Sequence, residues 1–151
     1  MSLSAAVSEG LREALIWQPT ITEKLGTYGG EPSIHTRRPV PTGVTGPSIV
    51  IGPNIIRTDQ DFLTSRLPVL ARDIVVYGQS GSPGSANDQY RDVEAIADSV
   101  YDLFHRNRDS LVVDGFHVVD IVASGPIPAP TDNERLIGRA VMLTIRLHRS
   151  A

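Results

Sequence analysis

One short segment of the chain has a spacing that could hold a nucleophile or a phosphate group. It is the run Gly-Gln-Ser-Gly-Ser at residues 78–82, which lies between a predicted strand and a predicted helix. A nucleophile elbow needs glycine where Ser82 stands, and a phosphate loop needs a Gly-Lys-Ser/Thr ending that is absent. We therefore interpret the segment as a flexible turn into a helix that Ser85 or Asn87 can cap.

The residues that could bind a metal ion or transfer protons are scattered along the chain. The four histidines occur singly, without His-x-x-x-His or His-x-His spacing, and the chain has no cysteine. Asp59 and Asp61 form a close carboxylate pair, but the neighbouring Arg57 and Arg66 favour a salt-bridged surface over a general acid and base. The sequence therefore predicts no cofactor, no metal site and no enzymatic activity.

Three acidic residues form a row on one face of a predicted helix. Glu94, Asp98 and Asp102 follow each other at intervals of four residues, and Arg91 and Arg106 flank the row. A solvated helix face is one interpretation of this row. The other is that the row meets arginines of a neighbouring copy of the chain.

The elements that position these residues begin with a helix. Apolar residues recur at helical spacing from Leu3 to Trp17, and Pro19 ends that helix. A brief extended run at 33–38, a proline- and glycine-rich loop at 39–47 and a short strand at 48–51 follow. Residues 53–67 have no sustained period, which predicts either a long hairpin or an excursion from the sheet.

The second half of the chain contains the clearest periodic patterns. A β-branched run within 68–78 predicts a strand, and a long amphipathic helix spans residues 87–107. Strands are predicted at 116–123 and 136–148, joined by a proline-rich connection at 124–134. Strict alternation in the last strand is typical of an antiparallel sheet with one buried side.

Composition places these elements in one domain spanning residues 1–151. With 40% hydrophobic and 21% charged residues, the chain can form one core and is too weakly charged for disorder. We predict an α+β fold, a mostly antiparallel sheet packed by two helices, in the order α-β-β-β-α-β-β with long Pro/Gly loops. The N-terminus lacks a signal pattern and no run of 18 apolar residues occurs, so we expect a soluble protein with no membrane partner.

Arginine strongly outnumbers lysine among the basic residues. Lys24 is the only lysine among the 14 basic residues, and the net charge is −3. The arginine excess reflects either a GC-rich genome or the suitability of forked guanidinium groups for protein contacts. A negative net charge argues against tight binding of DNA phosphates.

The order of the predicted elements carries a further signal. A helix that ends before a proline is followed by a proline-introduced strand at 46–51, and a strand at 72–78 leads into the long helix around 95–101. A strand at 139–146 closes the chain. This pattern, over residues 3–148, resembles the tail-completion or tail-terminator proteins of long-tailed phages and gene transfer agents, in which the segment 53–68 is expected to be shorter.

The resemblance implies a structural role. Such proteins form hexameric rings that cap the tail tube, stop its polymerisation and join the tail to the head and neck. The expected partners are further copies of the chain, the tail tube protein and a neck or stopper protein, while DNA passes through the lumen without specific binding. The expected location is the virion, after assembly in the host cytoplasm.

We expect the contacts of such a ring subunit at charged residues in loops and on the second helix. The candidates are Arg37, Arg38, Arg57, Asp59, Asp61, Arg66, Asp98, Asp102, Glu134 and Arg135.

Two other functions fit the same sequence. A neck protein, either a stopper or an adaptor, would act one ring closer to the head. A small-molecule-binding regulatory α+β domain would instead use the loop at 78–84 as an anion cradle, because backbone amides at a helix start can bind anions.

Overall fold

The computed structural model describes residues 2–37, 44–61, 66–81, 88–131 and 135–149, and of residues 56–61 and 66 it describes the backbone. In chain order the elements are α1 (Leu3–Ile16), α2 (Pro19–Thr22), β1 (Thr27–Tyr28), β2 (Glu31–Pro32), β3 (Ile34–His35), β4 (Ser48–Asp61), β5 (Arg66–Gln79), α3 (Tyr90–Phe104), a 3-10 turn (Arg108–Ser110), β6 (Phe116–Pro128) and β7 (Leu136–Arg149). The predicted loop at 39–43 and the predicted caps Ser85 and Asn87 lie outside the described residues.

Five strands form one sheet in the order β3-β4-β5-β7-β6. β3 runs parallel to β4, and the other neighbouring pairs are antiparallel. β1 and β2 form a separate two-stranded antiparallel ribbon. The predicted α+β fold with a mostly antiparallel sheet is therefore confirmed, with this small ribbon and the short helix α2 as additions to the predicted elements.

The core lies between one face of the sheet and the helices α1 and α3. Ser2 begins α1, because its Oγ accepts a hydrogen bond from the N–H of Ala5 at 3.1 Å. The apolar side of each helix is fully buried against alternate strand residues, and each large side chain contributes about 1.5–3 kcal/mol before entropy is subtracted. The largest of these core residues are Leu11, Leu15, Ile49, Ile51, Leu70, Ile74, Ile96, Phe104, Ile121 and Leu143.

The described residues of the segment 53–67 belong to the paired antiparallel strands β4 and β5, in agreement with the long-hairpin alternative, and residues 62–65 lie outside the described part of the chain. β4 and β5 pair from Ser48↔Tyr77 out to Asp61↔Arg66, with register shifts between residues 51 and 56. These irregularities in the pairing explain why the sequence shows no steady alternation there. Within the described residues, pairing of β5 with β7 begins at Val69, so the pairing of β5 with β4 continues for residues 66–68 past the last pair of β5 with β7. We call residues 57–61 and 66–70 the hairpin arm.

The long helix is shorter than its periodicity predicts. α3 begins after Gln89, which makes no side-chain capping hydrogen bond. At the other end His105 leaves helical geometry and Arg106 has a φ of 56°, the left-handed conformation that commonly follows a helix. The Arg106 N–H then donates to the carbonyl of Ile121 at 2.9 Å, so the turn is held against β6.

The connection predicted at 124–134 is partly a strand. β6 continues to Pro128, with a register shift between Ser124 and Ile127 after which pairing with β7 resumes at Ala140. β6 is the last strand in the sheet order, and an edge strand accepts proline because one side of it needs no ladder hydrogen bonds. Proline and glycine in this segment therefore do not end the strand.

A buried arginine joins α1 to the sheet. Arg72 of β5 is 1% exposed. Its Nε donates to Asn54 Oδ1 at 2.7 Å, Nη1 donates to Ser8 Oγ at 2.7 Å, and Nη2 donates to the Ser4 carbonyl at 3.0 Å and to Ser4 Oγ at 2.9 Å. Burial lowers the pKa of Arg72, and the carboxylate of Asp73 opposes that shift. Because a guanidinium keeps its proton in proteins, the interior holds a positive charge bound by neutral oxygens.

We expect Arg72→Ala to lower the free energy of unfolding by about 2–4 kcal/mol, because it leaves a cavity and several buried acceptors without a donor. Arg72→Met keeps most of the volume and should cost less. Urea unfolding followed by circular dichroism measures both. The matched control is Arg91→Ala at an exposed position of α3, which should change stability by less than about 0.5 kcal/mol. Equal stability of Arg72→Ala and the wild type would contradict the anchoring role.

Candidate interaction surfaces

The structure places the predicted contact residues on separate surfaces. Arg57, Asp59, Asp61 and Arg66 all lie in the hairpin arm, where Arg57 pairs with Leu70 and Asp61 with Arg66. The arm thus brings four of the ten candidates onto one pair of strands.

Asp98 and Asp102 lie exposed on the solvent side of α3. Glu94, the first residue of the same acidic row, accepts a hydrogen bond from Arg139 Nη2 of β7 at 3.3 Å. Arg106, predicted to flank the row, instead forms an ion pair with Asp120 at 3.3 Å. The row therefore has a partner within the chain at its first position, and its last two carboxylates face solvent.

The Glu94 contact belongs to a cluster that the sequence did not indicate. Arg139 Nη2 also donates to the hydroxyl of Tyr90 at 3.1 Å, and its guanidinium lies 5.4 Å from the centre of the Tyr90 ring. Arg139 lies in β7, a strand in which apolar and polar residues alternate, and its partners on α3 are distant from it in the sequence. Only the packing of α3 on the sheet brings them together.

The remaining candidates lie near the ends of described segments. Arg37 is exposed after β3, and Arg135 is exposed just before β7, where its carbonyl accepts a hydrogen bond from the N–H of Ser80 at 2.6 Å. Arg38 and Glu134 lie outside the described residues.

The start of the loop at 78–84 is occupied by contacts to α3. The N–H of Gln79 donates to Gln89 Oε1 at 2.8 Å, and the N–H of Gln89 donates to the Gln79 carbonyl at 2.9 Å. A Cβ on Gly78 would lie 2.5 Å from Val93 Cγ2, so glycine permits the close approach of α3 to β5. Asp88 Oδ1 accepts from the N–H of Tyr90 at 3.2 Å, which places a carboxylate where an anion would bind. At the described residues 78–81 and 88–90 this geometry disfavours the anion-cradle interpretation, and residues 82–84 of the predicted cradle lie outside the described residues.

A serine and a histidine form a contact of the kind seen in hydrolases. Ser33 Oγ lies 2.7 Å from His35 Nε2 and 2.8 Å from Ser48 Oγ. Ser33 is 0% exposed, so a substrate could not reach its hydroxyl. The network instead fixes β3 beside β4, together with the hydrogen bond from the N–H of Ile49 to the Ser33 carbonyl at 2.9 Å.

Two further features bear on binding. Among the described residues, no three His, Cys, Asp or Glu side chains are grouped so that they could hold a metal ion. No helix in the described part of the chain is long and apolar enough to cross a membrane.

An open groove of about 760 Å³ lies between α1 and residues 107–114. Its apolar surface includes two strongly exposed side chains, Trp17 at 75% and Val112 at 79%. Four exposed carboxylates line it, those of Glu9, Glu13, Asp109 and Asp114, and its described lining residues include no Lys, Arg or His. We call this surface the acidic groove.

The acidic groove was not predicted from the sequence. Gly10 makes it possible, since a Cβ there would lie 2.3 Å from the carbonyl oxygen of Val112 and would push residues 107–114 away from α1. The indole N–H of Trp17 donates to Glu13 Oε2 at 3.1 Å, which fixes the ring beside a carboxylate. The available signal in the sequence was a tryptophan at the end of the predicted helix with two glutamates, Glu9 and Glu13, on the preceding turns.

Comparison with solved structures shows a likeness of fold, whereas comparison with families and curated proteins shows none. No protein-family model matches the chain, and no curated protein matches it. A solved structure described as "Virion of native gene transfer agent (GTA) particle" contains a chain of similar fold, with a TM-score of 0.74 and 15% sequence identity. The likeness covers 97% of this chain and 98% of that chain. The two chains therefore share one fold along almost their whole lengths.

The environment of His35 predicts a pH dependence of stability. Burial, and secondarily the charge of Arg12, lowers the pKa of His35 below its ordinary value. The ring of Tyr28 packs edge-on against the imidazole, with 5.9 Å between the ring centroids. The unfolded chain then binds a proton more readily than the folded one, so stability is highest above about pH 6.5 and falls as the pH drops through the folded pKa.

We expect the urea midpoint of the wild type to fall between about pH 7.5 and about pH 5, and the fall to be smaller in His35→Gln because the titrating ring is gone. His148→Gln, at an exposed position near the end of β7, is the control and should keep the wild-type fall. An unchanged fall in His35→Gln would show that other groups cause it.

Proposed function

We propose that this chain is a structural virion protein, a tail terminator whose ring caps the tail tube, stops its polymerisation and joins the tail to the neck. The observation that carries the proposal is the likeness in fold, over 97% of this chain, to a chain of a gene transfer agent virion. The order of elements in the sequence supports the same assignment independently.

The surface of the subunit suits assembly into a ring. A closed ring needs two different surfaces on each subunit, because neighbours meet head to tail. The hairpin arm and the exposed carboxylates Asp98 and Asp102 are two such surfaces on different elements. We propose that a hexameric ring uses them between copies, and that Arg37, Arg38, Glu134 and Arg135 contact the tail tube protein or the neck protein.

The charge of the chain suits a passage for DNA. The affinity of a protein for DNA phosphates grows with the number of Lys and Arg contacts, and the net charge of −3 opposes tight binding of DNA. In the proposed ring, DNA passes through the lumen without specific binding. The chain then acts by its shape and its contacts rather than as an enzyme, in a virion assembled in the host cytoplasm.

A neck protein, stopper or adaptor, is the alternative that the same likeness of fold supports. The matched chain belongs to a virion, which fits a neck protein as well as a tail terminator. The two functions differ in what fails when the protein is missing.

Particles made without this protein should have tails of uncontrolled length, because nothing stops addition of tube subunits. Electron micrographs of particles with and without the gene measure the length distribution, and restoring the gene in trans is the control. Tails of normal length that are detached from full heads would instead assign the chain to the neck. Normal, joined particles would contradict both functions.

The proposed contacts can be tested by restoring assembly with variants. We expect Arg57→Ala with Arg66→Ala, and separately Asp98→Arg with Asp102→Arg, to reduce the yield of particles with tails of defined length by at least about tenfold, because charged contacts fix the register of neighbours. Lys24→Ala, at an exposed position of like charge to the arginines, is the control. Full yield with either double variant would remove that surface from the proposed interface.

A further inference from the structure

We propose that the acidic groove binds a segment of a partner protein that carries arginine or lysine next to large apolar side chains. The inference concerns a surface distinct from the hairpin arm and from Asp98 and Asp102. It does not depend on the tail-terminator function, because any basic, apolar protein segment of this kind would fit the groove.

The apolar part of the acidic groove is unusually exposed. Trp17 and Val112 have the two largest exposed fractions among the large hydrophobic residues in the described part of the chain, and they line the same groove. Tryptophan buries a large area when a partner covers it and is enriched among residues that dominate binding energies. Two such side chains beside one cavity favour a binding surface over a chance exposure.

The charge of the acidic groove selects the kind of partner. Four carboxylates surround the apolar centre, and the described lining residues offer no cation to neutralise them. Each carboxylate attracts a nearby cation weakly in water and more strongly where a bound segment excludes water. An acidic or purely apolar segment would lose this attraction, and nucleic acid would be repelled.

The geometry of Trp17 prepares the acidic groove for such a partner. Its indole N–H donates to Glu13 at 3.1 Å, and this hydrogen bond favours one orientation of the ring before a partner binds. A guanidinium can stack on the face of the ring while it pairs with a neighbouring carboxylate. Arginine is therefore the basic residue that the groove fits best.

The acidic groove contains an intrinsic fluorescence probe. Trp17 is its only tryptophan, so the intrinsic tryptophan fluorescence of the full chain reports on the acidic groove alone. The ligands to be used are peptides of equal length in which leucine alternates with arginine, serine or glutamate. We expect the arginine peptide to shift the emission to the blue in a saturable way, and the glutamate peptide to leave it unchanged.

Variants separate the acidic groove from general surface charge. Glu9→Gln with Glu13→Gln should weaken binding of the arginine peptide by at least about fivefold, and Val112→Ser should weaken it by about threefold. The control, Glu23→Gln with Asp92→Asn, removes two exposed carboxylates outside the groove lining, one just after α2 and one in α3, and should change Kd by less than about twofold. Far-ultraviolet circular dichroism verifies that each variant is folded.

Three results of the peptide and variant experiments would overturn the inference. These are the absence of a blue shift with the arginine peptide, equal binding of the arginine and glutamate peptides, and equal loss of affinity in the control variant. A blue shift that rises with protein concentration without peptide, together with a doubled mass, would also overturn it, because a second copy would then cover the groove. None of these results bears on tail length, so the proposed function is tested separately.

Discussion

The position of α1 depends on the buried guanidinium of Arg72. Its hydrogen bonds reach Ser4 and Ser8 on the helix and Asn54 on β4, so one side chain joins three elements. Removing a charge from water is costly, and it is offset here only while these oxygens stay in place. Apolar packing alone would allow α1 to slide along its axis or rotate about it by small steps. The directional hydrogen bonds to Ser4 and Ser8 fix both its rotation about the axis and its position along the axis.

The same constraint sets the outer surface of the molecule. Since Ser4 and Ser8 face Arg72 and Leu11 and Leu15 face the core, Glu9 and Glu13 must face solvent along the other side of α1. Gly10 then lets residues 107–114 pack against the helix, and Trp17 completes the end of the groove. An interior interaction thereby determines where the acidic groove lies and which side chains line it.

The sequence predicted those elements whose residues interact with near neighbours in the chain or repeat with a clear period. α3 and β7 were found because their apolar residues recur at 3.6 and 2 residues over many positions. The Arg72 anchor was not found, because an arginine in a strand is usually exposed and its serine partners lie 64 and 68 residues away. The hairpin remained ambiguous because the register shifts between residues 51 and 56 interrupt its alternation.

The contact surfaces were harder to predict for a related reason. Charge and spacing placed Asp98 and Asp102, which face solvent, in one acidic row with Glu94, whose carboxylate is paired with Arg139 of β7. A row of like charges on a helix is thus divided by tertiary structure into a part that stabilises the fold and a part available to partners. The carboxylates of the acidic groove differ again, because they surround exposed apolar side chains. A partner there gains hydrophobic contact and charge pairing from the same small area, whereas a partner at Asp98 and Asp102 gains chiefly charge pairing, which salt weakens.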